Sequence, residues 1–482
     1  MVHTFSALGR NLAVDVNSGA VHVLDKLCCD LLSLVEGPMG DACPQDLKDR
    51  LSQYDARELD EAWTELLELQ RAGLLFSDDD YIDPAAAMAL PKAAVVKALC
   101  LHVSHDCNLR CRYCFASTGD FGTGHRMTMD FDTAKRAIDW VVEKSGKRRN
   151  IEVDFFGGEP LMALDTVKRT VEYARSLEEK HDKCFRFTIT TNGVLRDQDT
   201  IDYINREMSN VVLSLDGRRE VNDHMRPTVN GKGSYDVIVP KFQQLVKARG
   251  GKGYYMRGTF THYNTDFTND LFHMADDLGF DELSMEPVVS KAGSPEALTE
   301  ADLPILFDQY ELLAKDMLRR EKAGHPITFY HYMIDLAHGP CIYKRISGCG
   351  SGTEYMAVTP WGDLYPCHQF VGDPDYKLGD IWNGVTNTEL RDEFKLCNVY
   401  ARPDCKDCWA RLYCAGGCAA NALHATGDIH GVYEYGCEVF RKRIECALMI
   451  KVAESLDPEL AGRAATAAPA TDEDCGDCSS CE

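Results

Sequence analysis

The sequence lacks any apolar run that approaches the roughly 18 residues needed to span a bilayer. Its first residues also lack the basic and then apolar order of a secretory signal. Basic residues are too few to balance the acidic ones, with 52 Lys and Arg against 76 Asp and Glu and a net charge of −24. Such an anionic chain repels phosphate backbones. We therefore expect a cytoplasmic protein that binds neither membrane nor nucleic acid.

The 21 cysteines are the most informative residues. A cytoplasmic protein keeps its thiols reduced, so a disulfide framework is not expected. The cysteines cluster at short spacings, in a triplet near position 110 and in the stretch from 341 to 446. This clustering favours metal or iron–sulfur ligation. A last group, in the terminal motif CGDCSSC, has metal-like spacing in a low-complexity context, and its role stays open.

The length of 482 residues predicts several domains. Residues 1–90 contain three β-like runs and three amphipathic helices, which is typical of a small winged-helix domain whose sheet edge can accept a peptide; a structural appendage is the alternative. Strand and helix alternate from 95 to 330, which predicts an α/β fold, a partial barrel of six parallel strands open to a large substrate. Metal sites are expected to organise residues 335–450. Residues 451–482 are expected to be disordered.

The first chemical motif is Cys107-x3-Cys111-x2-Cys114, directly after a predicted strand. Thiolates are the usual ligands of 4Fe–4S clusters, and three of them leave one iron open. A structural zinc site is the alternative, but no fourth ligand follows nearby. The motif, with Tyr113 before its last cysteine, resembles the radical-SAM superfamily. That resemblance implies that the open iron binds S-adenosylmethionine (SAM) and that a 5′-deoxyadenosyl radical then abstracts hydrogen from the substrate.

The resemblance also assigns the ends of the following strands to SAM. The loop Gly157-Gly158-Glu159 looks like the methionine-binding loop of the family, and Arg226 could clamp the SAM carboxylate, with a surface ion pair as the alternative. Other strand-end residues would contact the ribose, carboxylate or adenosine. Together with Tyr113, the proposed cofactor-binding residues are Gly157, Gly158, Glu159, Asn192, Ser214, Asp216, Arg226 and Glu286.

A second pattern of seven cysteines resembles the SPASM domain, which carries two auxiliary 4Fe–4S clusters; a zinc ribbon is the alternative. Two fully ligated clusters need eight ligands, and Cys341 is the candidate for the eighth. The resemblance assigns the first auxiliary cluster to Cys341, Cys349, Cys367 and Cys418, and the second to Cys405, Cys408, Cys414 and Cys437. Cys397 and Cys446 remain as non-ligands. Whether the first auxiliary cluster keeps an open position for a substrate thiolate is left undecided.

Two segments narrow the resemblance further. They are GRNLAVDVNSGAVHVLD, from Gly9 to Asp25, and AVTPWGDLYPCHQFVGD, from Ala357 to Asp373. With the SPASM pattern, they resemble the maturases of SCIFF (six-cysteine) peptides. This implies a cysteine-rich precursor peptide, bound through its leader by residues 1–90, that receives thioether crosslinks from cysteine sulfur to carbon. It also implies three 4Fe–4S clusters and an electron donor such as a ferredoxin or flavodoxin.

Two other functions are compatible with part of the sequence. An anaerobic sulfatase-maturing enzyme would oxidise a Cys or Ser to formylglycine. Those enzymes resemble one another in carrying an Asp base directly after the second SPASM cysteine, where this chain has His368, and they lack the winged-helix unit. His368 is the one candidate base. A peptide-binding or iron–sulfur carrier protein without catalysis is the third reading, and the SAM motifs between 107 and 226 disfavour it.

Overall fold

The computed structural model describes residues 1–79, 95–195, 197–290, 293–336, 342–458 and 460. The N-terminal unit has the three predicted strands and three predicted helices. The strands β1 (Val2–Ala7), β2 (Arg10–Asp15) and β3 (Val21–Leu24) form an antiparallel sheet in that order. The helices are α1 (Lys26–Leu32), α2 (Gln45–Arg50) and α3 (Ala56–Arg71).

Helix α3 shows how local sequence builds this unit. Asp55 caps its N-terminus and Glu58 completes a capping box, so two otherwise unpaired backbone N–H groups are satisfied. Its apolar stripe includes Trp63 and Leu66, which pack into a core with Leu31 of α1. The unit therefore has a hydrophobic core of its own.

The six predicted parallel strands are present and adjacent in sequence order, which confirms the α/β prediction. They are β4 (Ala98–Ser104), β5 (Asn150–Gly157), β6 (Cys184–Thr191), β7 (Asn210–Ser214), β8 (Tyr254–Phe260) and β9 (Glu282–Pro287). The helices between and after them are α4 (Phe131–Lys144), α5 (Leu164–His181), α6 (Gln198–Glu207), α7 (Arg219–Met225), α8 (Tyr235–Arg249), α9 (Phe267–Phe272) and α10 (Leu303–Ala323).

Burial alternates along three of these strands, β5, β6 and β8. In β5, Val153 and Phe155 are buried in the main hydrophobic core, whereas Asp154 and Phe156 between and beyond them are half-buried. The same alternation occurs in β6 and β8. Because successive side chains of a strand point to opposite faces, one face of the sheet lies under the helices and the other is a polar, concave face.

The sheet continues beyond the six predicted strands to eleven. β10 (Thr328–Phe329) pairs with β9 and β11 (Tyr355–Val358) pairs with β4, both parallel. Three short antiparallel strands follow, β12 (Asp363–Tyr365), β13 (Gly379–Asp380) and β14 (Gly384–Val385). The sheet therefore crosses the predicted domain boundary at residue 335. The additional strands were not predicted because two to four residues carry too little periodicity.

In the cysteine-rich part, helices account for most of the regular secondary structure. Its helices are α11 (Ile342–Ser347), α12 (Thr388–Lys395), α13 (Pro403–Lys406), α14 (Arg411–Cys414), α15 (Ala419–Thr426) and α16 (Glu434–Leu456). The prediction of disorder from residue 451 is wrong for its first residues, since α16 continues to Leu456 and packs on α10 and β1. The terminal CGDCSSC motif lies outside the described residues. In the described ranges, no helix has the length and apolar character needed to cross a membrane.

Candidate functional site

The loop between β4 and α4 carries the cysteine triplet at the C-terminal ends of the parallel strands. Burial, with smaller contributions from Glu159, Cys111 and Cys114, raises the pKa of the Cys107 thiol to about 12. The three thiols are thus close enough to influence one another. The Leu109 N–H lies 3.4 Å from the Cys107 sulfur. Iron binding requires thiolates, so it would release the protons that burial retains in the free thiols.

Three thiols share one loop, and thiolates are the usual protein ligands of an iron–sulfur cluster. The described residues include no group of three or more His, Cys, Asp or Glu side chains that is already arranged to hold a metal ion. The Asn192 amide nitrogen points at the Cys107 sulfur from 3.7 Å and donates to Asn108 Oδ1 at 2.8 Å. The amide nitrogen of Asn108 is buried without a described hydrogen-bond partner. N–H groups around the sulfur are the usual surroundings of a bound cluster.

The glycine loop after β5 lies directly against the cysteine loop. Gly158 N–H donates to Ser104 O at 2.8 Å and Glu159 N–H to Asp106 O at 2.9 Å. A Cβ on Gly157 would overlap the Ser104 carbonyl oxygen, and one on Gly158 would overlap that of Asp106. Gly157 also has a φ of +129°. Both glycines are therefore required for the approach of the two loops, and their contact with SAM stays a prediction.

Glu159 joins the ends of β5 and β6. Its side chain is 1% exposed. One carboxylate oxygen accepts from Leu161 N–H at 3.0 Å and from the Thr191 hydroxyl at 2.8 Å, and the other accepts from Asn192 N–H at 2.8 Å. Three protein donors thus hold this carboxylate beside Cys107.

Asp216 holds the cysteine loop from the other side. Its carboxylate accepts from the Tyr113 hydroxyl at 2.7 Å and from Thr259 N–H at 3.0 Å, and it lies 3.2 Å from Arg226 Nε. Arg226 is buried near Cys111, and burial raises the pKa of Tyr113 well above its ordinary value. The structure thus brings three predicted cofactor residues, Tyr113, Asp216 and Arg226, into one cluster under the loop. Ser214 is buried two residues before Asp216.

Glu286 is engaged by two partners that the sequence did not suggest. His331 Nδ1 lies 2.9 Å from one oxygen, and Arg443 of α16 donates to the other at 3.2 Å. Burial alone would raise the pKa of Glu286, but Arg443 and His331 hold it well below its ordinary value. The role of Glu286 toward adenosine stays a prediction. Arg443 is 157 positions away in the chain, so no local pattern signals this pair.

The downstream cysteines fall into two groups. Burial raises the pKa of Cys367 to about 12, and Cys418 and Cys349 contribute to the rise. Cys341, the fourth ligand expected here, lies outside the described residues. Cys397 also comes near this group, since burial raises its pKa and Cys349 is a minor contributor. The structure therefore assembles three of the four cysteines predicted for the first auxiliary cluster.

The second group is complete. Burial raises the pKa of Cys414 to about 12, with contributions from Cys437, Cys405 and Cys408. These are the four cysteines predicted for the second auxiliary cluster. Cys446 lies elsewhere, buried in the main core.

His368 lies beside the cysteine loop on the concave face. Its ring lies 5.0 Å from that of Phe156 and 5.5 Å from that of Phe115, the residue after the triplet. Tyr355 OH is 3.4 Å from His368 Nδ1. Burial, with repulsion from Arg257, lowers the pKa of His368 to about 4. Arg257 is a concave-face residue that the sequence reading missed, although the alternation of β8 could have placed it there.

Comparisons with known proteins match both cysteine regions. Residues 101–264 match the Radical SAM superfamily, and residues 349–409 match the iron-sulfur cluster-binding domain SPASM. The chain is 25% identical over 338 residues to a cysteine-type anaerobic sulfatase-maturating enzyme of Clostridium novyi, covering 66% of this chain and 86% of that enzyme. It is 22% identical over 362 residues to the radical SAM cyclopropyl synthase TigE of Paramaledivibacter caminithermalis, covering 72% of each.

Among solved structures, native anSMEcpe with bound AdoMet has a TM-score of 0.62 at 21% identity, covering 75% of this chain and 100% of that chain. The same enzyme with AdoMet and the Cp18Cys peptide also has a TM-score of 0.62, at 20% identity, covering 75% of this chain and 99% of that chain. These likenesses show the fold.

Proposed function

We propose that this chain, which carries a radical SAM domain followed by a SPASM domain, forms intramolecular thioether crosslinks in a cysteine-rich precursor peptide. The cysteine groups described above support the three-cluster cofactor set. The named relatives of the chain include enzymes that mature sulfatases or close a cyclopropyl ring. The observation that carries the peptide assignment is an edge of the N-terminal sheet with which no strand of the described residues pairs.

That edge is β3. In the three-stranded sheet β1 and β3 are the outer strands, and β1 lies against α16. β3 is half-exposed along its length, with Val23 48% exposed. An edge strand offers free N–H and C=O groups to an extended peptide, and alternate side chains such as Val23 then contact it. We assign this edge to the leader of the precursor.

The N-terminal unit is fixed on the cysteine-rich part. The His3 ring stacks on Trp409 at 4.0 Å, next to Cys408 of the second group. Asp79 accepts from Tyr400 OH at 2.8 Å and from Arg411 at 3.1 Å. A leader bound at β3 would therefore have a defined position relative to the concave face.

The concave face would supply the reaction space. When bound, SAM and its cluster supply a 5′-deoxyadenosyl radical that removes a hydrogen atom from a carbon of the peptide. The Gly157–Gly158 contact and the Asp216 carboxylate fix the cysteine loop at the mouth of this face. Phe115, Phe156 and His368 pack together beside the loop and give this part of the face an aromatic lining. The peptide thiol loses its proton and the new carbon–sulfur bond leaves one electron for the enzyme to remove.

The test is turnover of the reconstituted full chain with SAM, dithionite and a small cysteine-rich peptide encoded beside its gene. We expect a product lighter by two hydrogen atoms per crosslink and resistant to thiol alkylation. The Cys111→Ala variant serves as the control without radical chemistry. An unchanged peptide mass, with 5′-deoxyadenosine still forming, would contradict the substrate assignment.

The leader site has a separate test. Val23→Asp places a charge at the exposed edge, and we expect it to raise the KM for the full precursor by about tenfold or more, with SAM cleavage unchanged. The matched control is Val237→Asp, on the exposed side of α8. Equal KM values for both variants and for the wild type would contradict the assignment of the leader to β3.

Formylglycine formation is the second candidate, favoured by the similarity to sulfatase-maturating enzymes. The replacement of the expected Asp by His368 disfavours it. A Cys-containing sulfatase peptide distinguishes the two, since its conversion to an aldehyde would support this alternative.

A further inference from the structure

Arg257 occupies the concave face of the sheet. It lies in β8 between Met256, which is buried in the core, and Gly258, and it is half-buried. Its neighbours across the sheet are Ser214 of β7 and Ser284 of β9. The side chain therefore projects into the space where the peptide is proposed to react, on the strands opposite the glycine loop.

The guanidinium has little protein to bind. Its one described hydrogen bond goes to the Ser284 hydroxyl at 3.3 Å. Among the described residues, no carboxylate lies within ion-pair distance of it, although the chain has 76 acidic residues and a net charge of −24. A guanidinium presents five N–H donors in a planar fork, and only one hydrogen bond of Arg257 is described.

The nearest acid along the sheet is already occupied. Glu286 follows Ser284 in β9, and its oxygens serve His331 and Arg443. Arg257 contributes to the low pKa of Glu286 and also to that of His331, which burial lowers to about 4. Two arginines and one carboxylate, with an uncharged His331, leave this corner with an excess of positive charge. Asp154, whose pKa burial raises to about 7, offsets only part of it.

We propose that Arg257 binds a carboxylate of the peptide substrate, the side chain of an Asp or Glu in the segment that enters the concave face. This rests on the proposed peptide modification and narrows its substrate to peptides with an acid near the reacting residue. The planar fork of a guanidinium matches a carboxylate in two parallel hydrogen bonds. The SAM carboxylate has the same chemistry, but Arg226 already stands beside Cys111, next to the expected position of SAM.

The experiment compares Arg257→Gln, Arg257→Lys and the wild type on two peptides. One is the precursor, and the other has every core Asp and Glu replaced by Asn and Gln. On the precursor we expect Arg257→Gln to lower kcat/KM by about 10- to 100-fold, as for loss of a charge-assisted bond, with a smaller loss for Arg257→Lys. On the amide peptide the wild type and Arg257→Gln should be equal. Arg136→Gln, on the outer side of α4, is the matched control.

Each other outcome overturns the proposal. An equal loss of kcat/KM on both peptides means that Arg257 does not bind a substrate carboxylate. A raised KM for SAM, or slower SAM cleavage without peptide, means that the bound carboxylate is that of SAM. Iron content and circular dichroism show whether the variants fold.

If the wild type modifies no peptide, the proposed function fails, and arginine labelling by phenylglyoxal then decides on Arg257 alone. Protection of Arg257 by N-acetylaspartate methylamide, and not by its asparagine analogue, supports the carboxylate site. Equal labelling with both compounds refutes it.

Discussion

Asp216 shows how one buried carboxylate can position a cofactor loop. It is fully buried and serves a tyrosine hydroxyl, a backbone N–H and an arginine at once. These partners come from the cysteine loop, from β8 and from the segment after α7. The charge of Asp216 therefore matters twice, as an acceptor for Tyr113 and as the counter-charge of buried Arg226.

Asp216→Asn is expected to disorganise the cysteine loop. The amide would present N–H groups to existing donors and leave Arg226 without a counter-charge, a change that costs about 3–5 kcal/mol in buried pairs. We expect loss of about four iron atoms per chain, one 4Fe–4S cluster, and faster proteolysis of the loop. Iron analysis and limited trypsin digestion check this against exposed Asp132→Asn. Full iron content in Asp216→Asn would show that the loop holds its cluster without this anchor.

At the scale of single residues, the sequence predicts which side chains gather but not what they bind. The triplet was predicted from its cysteine spacing, and Glu159 and Asp216 from the family resemblance of the strand ends; the structure places both carboxylates beside the cysteine loop. Glu286 was predicted in the same way, yet its partners are His331 and Arg443. Such pairs depend on packing between distant elements, and no spacing rule encodes them.

The contact between α16 and β9 includes a sheltered ion pair. Glu286 of β9 meets Arg443 of α16, and the Arg443 side chain is 10% exposed. Arg443 and His331 make the pKa of Glu286 lower in the folded chain than in the unfolded chain. The carboxylate therefore contributes its full stabilisation at any pH above the unfolded-state pKa. That stabilisation is lost as the pH falls from the unfolded-state pKa toward the folded-state pKa.

Arg443→Met should destabilise the fold in a pH-dependent way. The pKa of folded Glu286 would then rise, because burial opposes the charged form and only His331 and Arg257 still favour it. We expect a cost of about 3 kcal/mol near pH 8 that shrinks as the pH is lowered toward about 4 and the carboxyl group protonates. Melting temperatures of the holoprotein across this range measure it, with exposed Arg319→Met as the control. A deficit independent of pH would indicate lost packing instead of a lost charge pair.

At the scale of elements, strands β4 to β9 were predictable because each spans five to eight residues, with alternating burial in β5, β6 and β8 and continuous buried runs in β4 and β7. β10, β11 and β13 were not, since two to four residues carry no reliable period. The end of α16 was missed for another reason. Its continuation past residue 450 is helical by packing on α10 and β1, which the composition of the tail does not reveal.

For the whole molecule, the grouping of thiols predicts an iron count. Cys414→Ala and Cys367→Ala are each expected to lose about four of about twelve iron atoms, because each removes a ligand of one cluster. Cys446→Ala is the matched control and should keep all iron. Cys397→Ala should behave like it, and iron loss there would make Cys397 a ligand. Loss of iron from Cys446→Ala, or none from Cys414→Ala, would contradict the grouping.

The contact between the N-terminal unit and the cysteine-rich part gives a second prediction at this scale. Asp79→Asn weakens the bonds from Tyr400 and Arg411, at a cost of about 1–3 kcal/mol. We expect a higher KM for the full precursor, unchanged SAM cleavage, and faster proteolytic separation of the two parts. The adjacent Asp78→Asn is the control. An unchanged KM, with faster proteolytic separation of the two parts, would show that this contact does not position the leader.

Helix α16 bears on how such enzymes could be recombined. Its first turns carry Cys437 of the second thiol group, Arg443 reaches the barrel strand β9, and Glu445 meets His3 of the N-terminal sheet at 3.0 Å. A chimera that exchanges only residues 1–79 for the corresponding unit of another enzyme would keep the α16 side of this contact and lose the N-terminal side. Grafting a new peptide specificity therefore requires the matching face of α16 to be transferred along with the N-terminal unit.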